Sequence, residues 1–288
     1  MIIVTGATGQ LGHAIVEALA RRMPAGGLVA SVRDPAKAAD LTELGVGVRH
    51  GDFAEPASLA TALEGATQLL LVSSNAAATG GNPLAQHRAA IDAARAAGVR
   101  RIVYTSHMAA SPISAFPPML DHAATEQMLA DSGVAWTALR NGFYASSGLM
   151  LMGNFAQTAL IEAPTDGKVA WTAHADLAEA AAAILADASR FEGPTPPLTG
   201  PAALDLADLA AIASGLLGRA VTRALISDDD LEARMVAHRV PPARTGIALG
   251  LYRAARAGEF SRLDPTLEQL IGRPAIGMRD VIAATLPV

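Results

Sequence analysis

No stretch constrains the fold as strongly as the first: Ile2-Ile3-Val4-Thr5-Gly6-Ala7-Thr8-Gly9-Gln10-Leu11-Gly12. A short apolar run leads into glycines at 6, 9 and 12. Leu11, Ile15, Val16 and Leu19 then recur on one helical face until Pro24 closes the segment. A strand that turns tightly into a helix needs residues without Cβ, both to bend and to let the backbone approach a pyrophosphate. The helix start behind them offers unpaired N–H groups and the positive end of its dipole. A glycine triplet alone is weak in a chain with 26 glycines; at a strand–helix junction it has a mechanism. Gly6, Thr8, Gly9, Gln10, Leu11 and Gly12 are therefore the expected dinucleotide loop.

The same rhythm continues outward. Residues 28–32, 46–48, 69–72, 102–104 and 136–139 are continuous apolar runs, as strands covered on both faces require. Helical patterns fill the gaps at 57–64, 85–97 and 122–132. Strand and helix alternating without hairpins predict a doubly wound, parallel-sheet Rossmann α/β fold. Past 141 the rhythm changes: a turn at 166–168, a strand at 169–172, an alanine-rich helix from Asp176 through Leu185, and a proline-marked loop at 194–197. Helices follow near 205–216, 228–238, 246–257 and 265–271. The expected division is an NAD(P)-binding core over 1–141, rejoined by about 165–188, and a smaller α/β substrate lobe over 142–288, interleaved with it.

Composition narrows the class. The chain has 288 residues, 51% hydrophobic, ample for a large core, and its net charge of −5 argues against nucleic acid. The absence of cysteine removes disulfides and thiolate chemistry and fits the cytoplasm. Glu17, Arg21 and Arg22 come too early for a signal peptide, and the uncharged residues 141–161 are broken by asparagines, serines and glycines. A soluble protein without membrane contact is expected. The histidines show no two-ligand metal spacing, so no metal is expected, nor a flavin, whose motif is missing. The 253–256 segment, with its two arginines, reads as a solvated helix face.

Arg33 stands where a binder of NADH usually places an acid for the ribose hydroxyls, with Lys37 close behind. A guanidinium fits a 2′-phosphate bidentately, which favours NADPH, while Asp34 leaves NADH as the lesser alternative. Asp52 and Phe53 follow the third strand, where an acid meets the adenine amino group and a ring packs beside the base. Ser73 and Ser74, and Thr105 and Ser106, end the fourth and fifth strands at the ligand-binding edge, although hydroxyls there also cap loops.

These segments together resemble a family. TGATGQLG at the start, VRDPAK after strand two, HGDF after strand three, HAATEQMLADSGVAWTALRNGFY at 122–144 and GEFSRLDPTLEQLIGRP at 258–274 are similar to the NmrA-like branch of the atypical short-chain dehydrogenases. Within it the chain looks closest to the NADPH:quinone oxidoreductases and triphenylmethane dye reductases. The resemblance implies a substrate cleft between core and lobe. It also implies cofactor contacts at Gly6, Thr8, Gly9, Gln10, Leu11 and Arg33, and near Ser73, Ser106 and Asn141. Related enzymes make a homodimer reasonable, though no interface reads from the sequence.

The departures matter as much. The tyrosine–lysine pair of short-chain dehydrogenases is missing: Pro118 falls where the tyrosine would be, and His122 stands four residues before Glu126. Alcohol–ketone chemistry with a tyrosine acid is therefore not expected. Hydride transfer to an electrophilic small-molecule electron acceptor, such as a quinone, needs mainly positioning, with His122, Tyr144 or Asn75 as donors toward its oxygen. His122 also has an ordinary role as the first residue of a helix, and Tyr144, in the loop after strand six, as packing. Leu149, Met150, Leu151 and Met152 read as an adaptable apolar wall or plain core, and His174 and Asp176 as a helix start. The alternative function is an NmrA-type redox sensor that binds NADP(H) without turnover.

Overall fold

The computed structural model describes residues 1–24 and 26–286. The first half runs β1 (Ile2–Thr5), α1 (Gln10–Ala20), β2 (Leu28–Val32), α2 (Ala39–Glu43), β3 (Gly47–His50) and α3 (Pro56–Ala62). It continues through β4 (Gln68–Leu71), α4 (Pro83–Ala96), β5 (Arg101–His107), α5 (Pro117–Ala130) and β6 (Ala135–Asn141). Next come β7 (Phe143–Tyr144), α6 (Ala145–Met152), α7 (Phe155–Thr158), β8 (Leu160–Pro164), β9 (Val169–Thr172) and α8 (His174–Ala186). The chain ends with β10 (Gly193–Pro194), β11 (Ala203–Leu204), α9 (Leu206–Leu217), β12 (Thr222–Ile226), α10 (Asp228–Ala237), α11 (Pro242–Arg256), α12 (Thr266–Ile271) and α13 (Met278–Ala283).

Seven strands form one sheet in the order β10-β6-β5-β4-β1-β2-β3, every neighbouring pair parallel. Successive residues of a strand face opposite sides, so the continuous apolar runs are covered twice. Ile2 and Val4 of β1 pack with Leu11, Ile15 and Leu19 of α1 and with Leu177, Ala181 and Ile184 of α8. Ile3 packs with Leu69 and Leu71 of β4, Leu59 of α3, Ile91 of α4 and Leu129 of α5. Fully burying each large side chain contributes roughly 1.5–3 kcal/mol. The helix α8 comes from the second half of the chain, and its alanines let it lie close against α1.

The lobe is built around β11-β9-β7 and the parallel pair β12-β8, with α6, α9, α11 and α13. Its centre is aromatic: the Phe143 ring lies 5.0 Å from Phe260, 5.5 Å from Trp171 and 5.7 Å from Phe116, centroid to centroid.

Several local expectations shift. The fifth helix begins at Pro117 rather than 122, and α11 at Pro242 rather than 246. Prolines that look like breakers sit in the first turn, where the missing N–H has no intrahelical partner to lose. His122 is therefore in the second turn of α5, not at its start. The proline cluster after 193 is not wholly loop, because Gly193 and Pro194 pair with Thr137 and Ala138 as an edge strand. Tyr144 lies in a short strand, opposite Thr172. Ala254 and Ala255 are buried, and only Arg253 and Arg256 of that segment face outward, both toward Asp228. Met150 is exposed while Met152 is core, so 149–152 forms no single wall. His174 does open α8, and Asp176 is fully buried. One Asp176 oxygen accepts from the Ile276 N–H at 2.7 Å and the other lies 2.7 Å from Arg273.

Candidate active site

The glycine loop has the geometry its chemistry demands. Gly6 adopts φ +59°, a left-handed conformation that costs glycine nothing, and its carbonyl accepts from the Gly9 N–H at 2.9 Å. A Cβ on Gly12 would stand 2.3 Å from that same carbonyl oxygen, so α1 can start this close to β1 only with glycine there. Gly9 caps α1 without a side-chain hydrogen bond, and no acid occupies the first turn. In contrast, α9 and α10 carry acid-containing capping boxes. Gly6, Thr8, Gly9 and Gln10 are exposed, whereas Leu11 and Gly12 are buried as packing. An uncapped, exposed helix start with its dipole aimed outward fits a pyrophosphate.

This loop stands where the strand order reverses, between β1 and β4. Thr5 stitches the two strands, its hydroxyl donating to the Leu70 carbonyl at 3.2 Å and accepting from the Val72 N–H at 3.0 Å. Beyond β2, Arg33 is exposed, and its guanidinium makes no hydrogen bond or ion pair among the described residues. Its carbonyl is held by His50 Nδ1 at 3.0 Å. Asp34 is occupied as a cap, accepting from the Ala36 N–H at 3.2 Å with the Lys37 ammonium 3.6 Å away. Asp52 likewise accepts from the Ala54 N–H at 2.9 Å, and Phe53 is half-buried against the core.

The strand-end hydroxyls differ in what they offer. Thr105 is buried, accepting from the Ser73 N–H at 2.8 Å and facing the Ser73 hydroxyl at 3.3 Å. Ser106 is buried too and donates to Glu126 at 2.6 Å; Glu126 in turn holds Arg140 at 2.7 Å. Both hydroxyls are therefore spent inside the protein; of the two serines that line a cavity here, Ser74 donates to Gln86 Oε1, and the Ser73 hydroxyl accepts from Thr105. The Asn141 side chain is buried with its Oδ1 unpaired, and His107, its register partner on β5, buries an unpaired Nε2.

That cavity, of about 230 Å³, lies at the carboxyl end of β4 and β5, between the 73–78 loop, α4, α5 and α11. Ser73, Ser74, Tyr104, Asp121, His122 and Ile247 are among its walls. Behind them runs a chain of hydrogen bonds. The Thr125 hydroxyl donates to the Asp121 carbonyl at 2.7 Å, so it accepts from His87 Nδ1 at 2.8 Å. The free His87 Nε2 then accepts from the Ser74 N–H at 2.8 Å, which fixes the neutral tautomer. Burial holds His87 neutral, its pKa lowered to about 4. His122 is also pushed well below the usual histidine range, by burial first and then by His107 and His87. Its Nδ1 lies 2.9 Å from the Tyr104 hydroxyl, a phenol that burial keeps protonated. Tyr104 and His122 Nδ1 share this hydrogen bond, and His122 Nε2 has no hydrogen-bond partner among the described residues. The arrangement places a neutral imidazole beside the Ser73, Ser74 and Asn75 side chains around the cavity. Tyr144 is not among the cavity's walls; its ring packs against His174 at 4.4 Å, and burial pushes its phenol up to about 12.

A protein-family profile described as NAD(P)H-binding matches residues 6–188, from the first glycine through α8. The chain belongs to this NAD(P)H-binding family. Its resemblance to the NmrA-like reductases holds over the full length. Quinone oxidoreductase 2 of Escherichia coli is 38% identical over 286 residues, covering 98% of both chains. The crystal structure of that enzyme with NADPH superposes with a TM-score of 0.91, at 37% identity and 99% coverage of both. The NADP(H) complex of Citrobacter triphenylmethane reductase gives a TM-score of 0.89 at 31% identity, covering 99% of this chain and 100% of that one. An NmrA-like family domain-containing oxidoreductase of Aspergillus flavus is 29% identical over 290 residues, 99% of this chain and 94% of its own.

His87, Tyr104, Asp121 and Thr125 were not among the candidates from sequence. Tyr104 reads there as an ordinary apolar strand residue, and His87 as one polar position on an amphipathic helix. Only the adjacency of Asp121 to His122 carried a signal. Among the described residues no cluster of three potential metal ligands occurs, and no helix is long and apolar enough to cross a membrane.

Proposed function

We propose that the protein is an NADPH-dependent reductase of quinones or similar conjugated small molecules. The observation that carries this is the pairing of an uncapped glycine-loop helix start with a cavity, one strand away, walled by the neutral His122 imidazole. Bound NADPH supplies the hydride. Gly6, Thr8, Gly9 and Gln10 hold its pyrophosphate through the backbone, and Arg33, with Lys37 beside it, takes the 2′-phosphate. Asp52, Phe53 and Asn141 flank the same groove. The acceptor lies in the cavity, where the His122 N–H faces its oxygen and stabilises the charge that develops there. Tyr144, packed against His174, is the second candidate donor.

Quinone- and dye-reducing relatives that match end to end support turnover, and the sensor alternative is not favoured. The division of labour proposed is 1–141 with 165–188 for the dinucleotide and 142–288 mainly for the acceptor. A cytoplasmic setting rests on the cysteine-free sequence. A homodimer rests on the resemblance, and light scattering after size exclusion tests it. The direct test is initial rates over a grid of NADPH and naphthoquinone concentrations. Intersecting double-reciprocal lines are expected, because with no flavin both molecules must be bound together. NADPH bound without oxidation at any quinone concentration would remove the proposal.

A further inference from the structure

The cavity walls include one formally charged side chain, the carboxylate of Asp121. It is half-buried and makes no hydrogen bond or ion pair among the described residues; only its backbone carbonyl is engaged, by Thr125. Burial raises its pKa, and it precedes His122 in α5, the two lining the same cavity. The histidines around it are neutral, so nothing inside the cavity balances it. Arg244 is exposed, with its Nε bound at 2.8 Å to the carbonyl of Ala78, a residue of the cavity wall. Exposed charge is heavily screened, while charge at a half-buried wall is much less so.

We propose that Asp121 is a charge-selecting residue, which favours acceptors carrying a positive charge and rejects those carrying a carboxylate or sulfonate. This rests on the cavity being the acceptor site of the proposed reductase. An acceptor of one or two rings with a cationic substituent near Asp121 gains a Coulombic contact that no protein group competes for. An anionic one meets the carboxylate without a counter-charge. Across several ångströms of partly desolvated space this amounts to roughly tenfold in affinity or more in each direction.

The test uses the NADP⁺-loaded protein and three related molecules: naphthoquinone, a naphthoquinone sulfonate, and a naphthoquinone bearing a trimethylammonium group. Calorimetric titration gives the cation-to-anion preference, each relative to the uncharged compound, whether or not turnover occurs. In Asp121→Asn the preference should fall roughly tenfold or more. Asp121→Glu should restore most of it, and Arg244→Gln should move it less, in the opposite direction. Failure of all three molecules to bind, an unchanged preference in Asp121→Asn, or a larger change in Arg244→Gln would overturn the assignment. Intact charge selection with no NADPH oxidation would instead count against the reductase proposal alone.

Discussion

Replacing Gly12 by alanine tests whether the glycine loop is built as described. Alanine should help on propensity alone, since glycine inside a helix costs up to about 1 kcal/mol. The new Cβ, however, would lie 2.3 Å from the Gly6 oxygen, 2.9 Å from its carbonyl carbon and 3.2 Å from the Ala7 Cα. All three are backbone atoms of the turn, which cannot swing aside as a side chain tip would, so α1 must move by roughly 1 Å. Overpacking of that kind costs about 1–3 kcal/mol, which outweighs the propensity gain. A net loss of about 1–2 kcal/mol lowers Tm by roughly 2–6 °C in a chain of this size. The same shift misaligns the N–H groups at the helix start. Hydrogen bonds to a charged group contribute about 1.5–3 kcal/mol, so Kd for NADPH should weaken about tenfold or more. The control is Gly215→Ala in α9, where the nearest atom to a new Cβ is Arg279 Nη1 at 3.9 Å. That change should raise stability by up to about 1 kcal/mol and leave binding alone. Melting curves and NADPH titrations on both proteins decide the matter. A Gly12→Ala protein as stable as wild type, with unchanged affinity, would refute the reasoning.

Two further predictions follow from the cavity wall. Tyr104→Phe removes the hydroxyl facing His122 Nδ1, 2.9 Å away, and leaves that nitrogen without its partner. Stability should fall by about 1–3 kcal/mol, and kcat for a quinone should drop more than KM rises; a change confined to KM would contradict the positioning role. His87 is neutral in the fold, with its pKa near 4, but takes up a proton below about 6.5 once unfolded. The unfolded chain therefore binds more protons between those values, and stability must fall as pH drops from about 6.5 to about 4. His87 alone contributes roughly 3 kcal/mol to that loss. Denaturant melts across the window measure it, and His87→Gln should flatten the slope.

Much of the fold was legible because its signals are local or periodic. The glycines at 6, 9 and 12 and the fully apolar runs each state their own requirement, and Arg33 sits at a fixed distance from the loop. Helix starts at Pro117 and Pro242 were harder, since proline reads as a breaker unless its place in the first turn is known. The site itself was half legible. Ser106 and Thr105 stand at the right strand ends, yet their hydroxyls turn inward to Glu126 and Ser73, a direction no spacing reveals. His87, Tyr104 and Asp121 meet around one cavity from three separate elements, and only the packed sheet brings them together.

The most direct measurement of the central claim follows the loss of reduced-nicotinamide absorbance with a quinone present, NADPH and NADH in parallel, for wild type and Arg33→Ala. Steady oxidation of NADPH over NADH by wild type, with the preference lost in Arg33→Ala, is the predicted result. Tight NADPH binding with no oxidation, or a coenzyme preference that Arg33→Ala leaves intact, would contradict it.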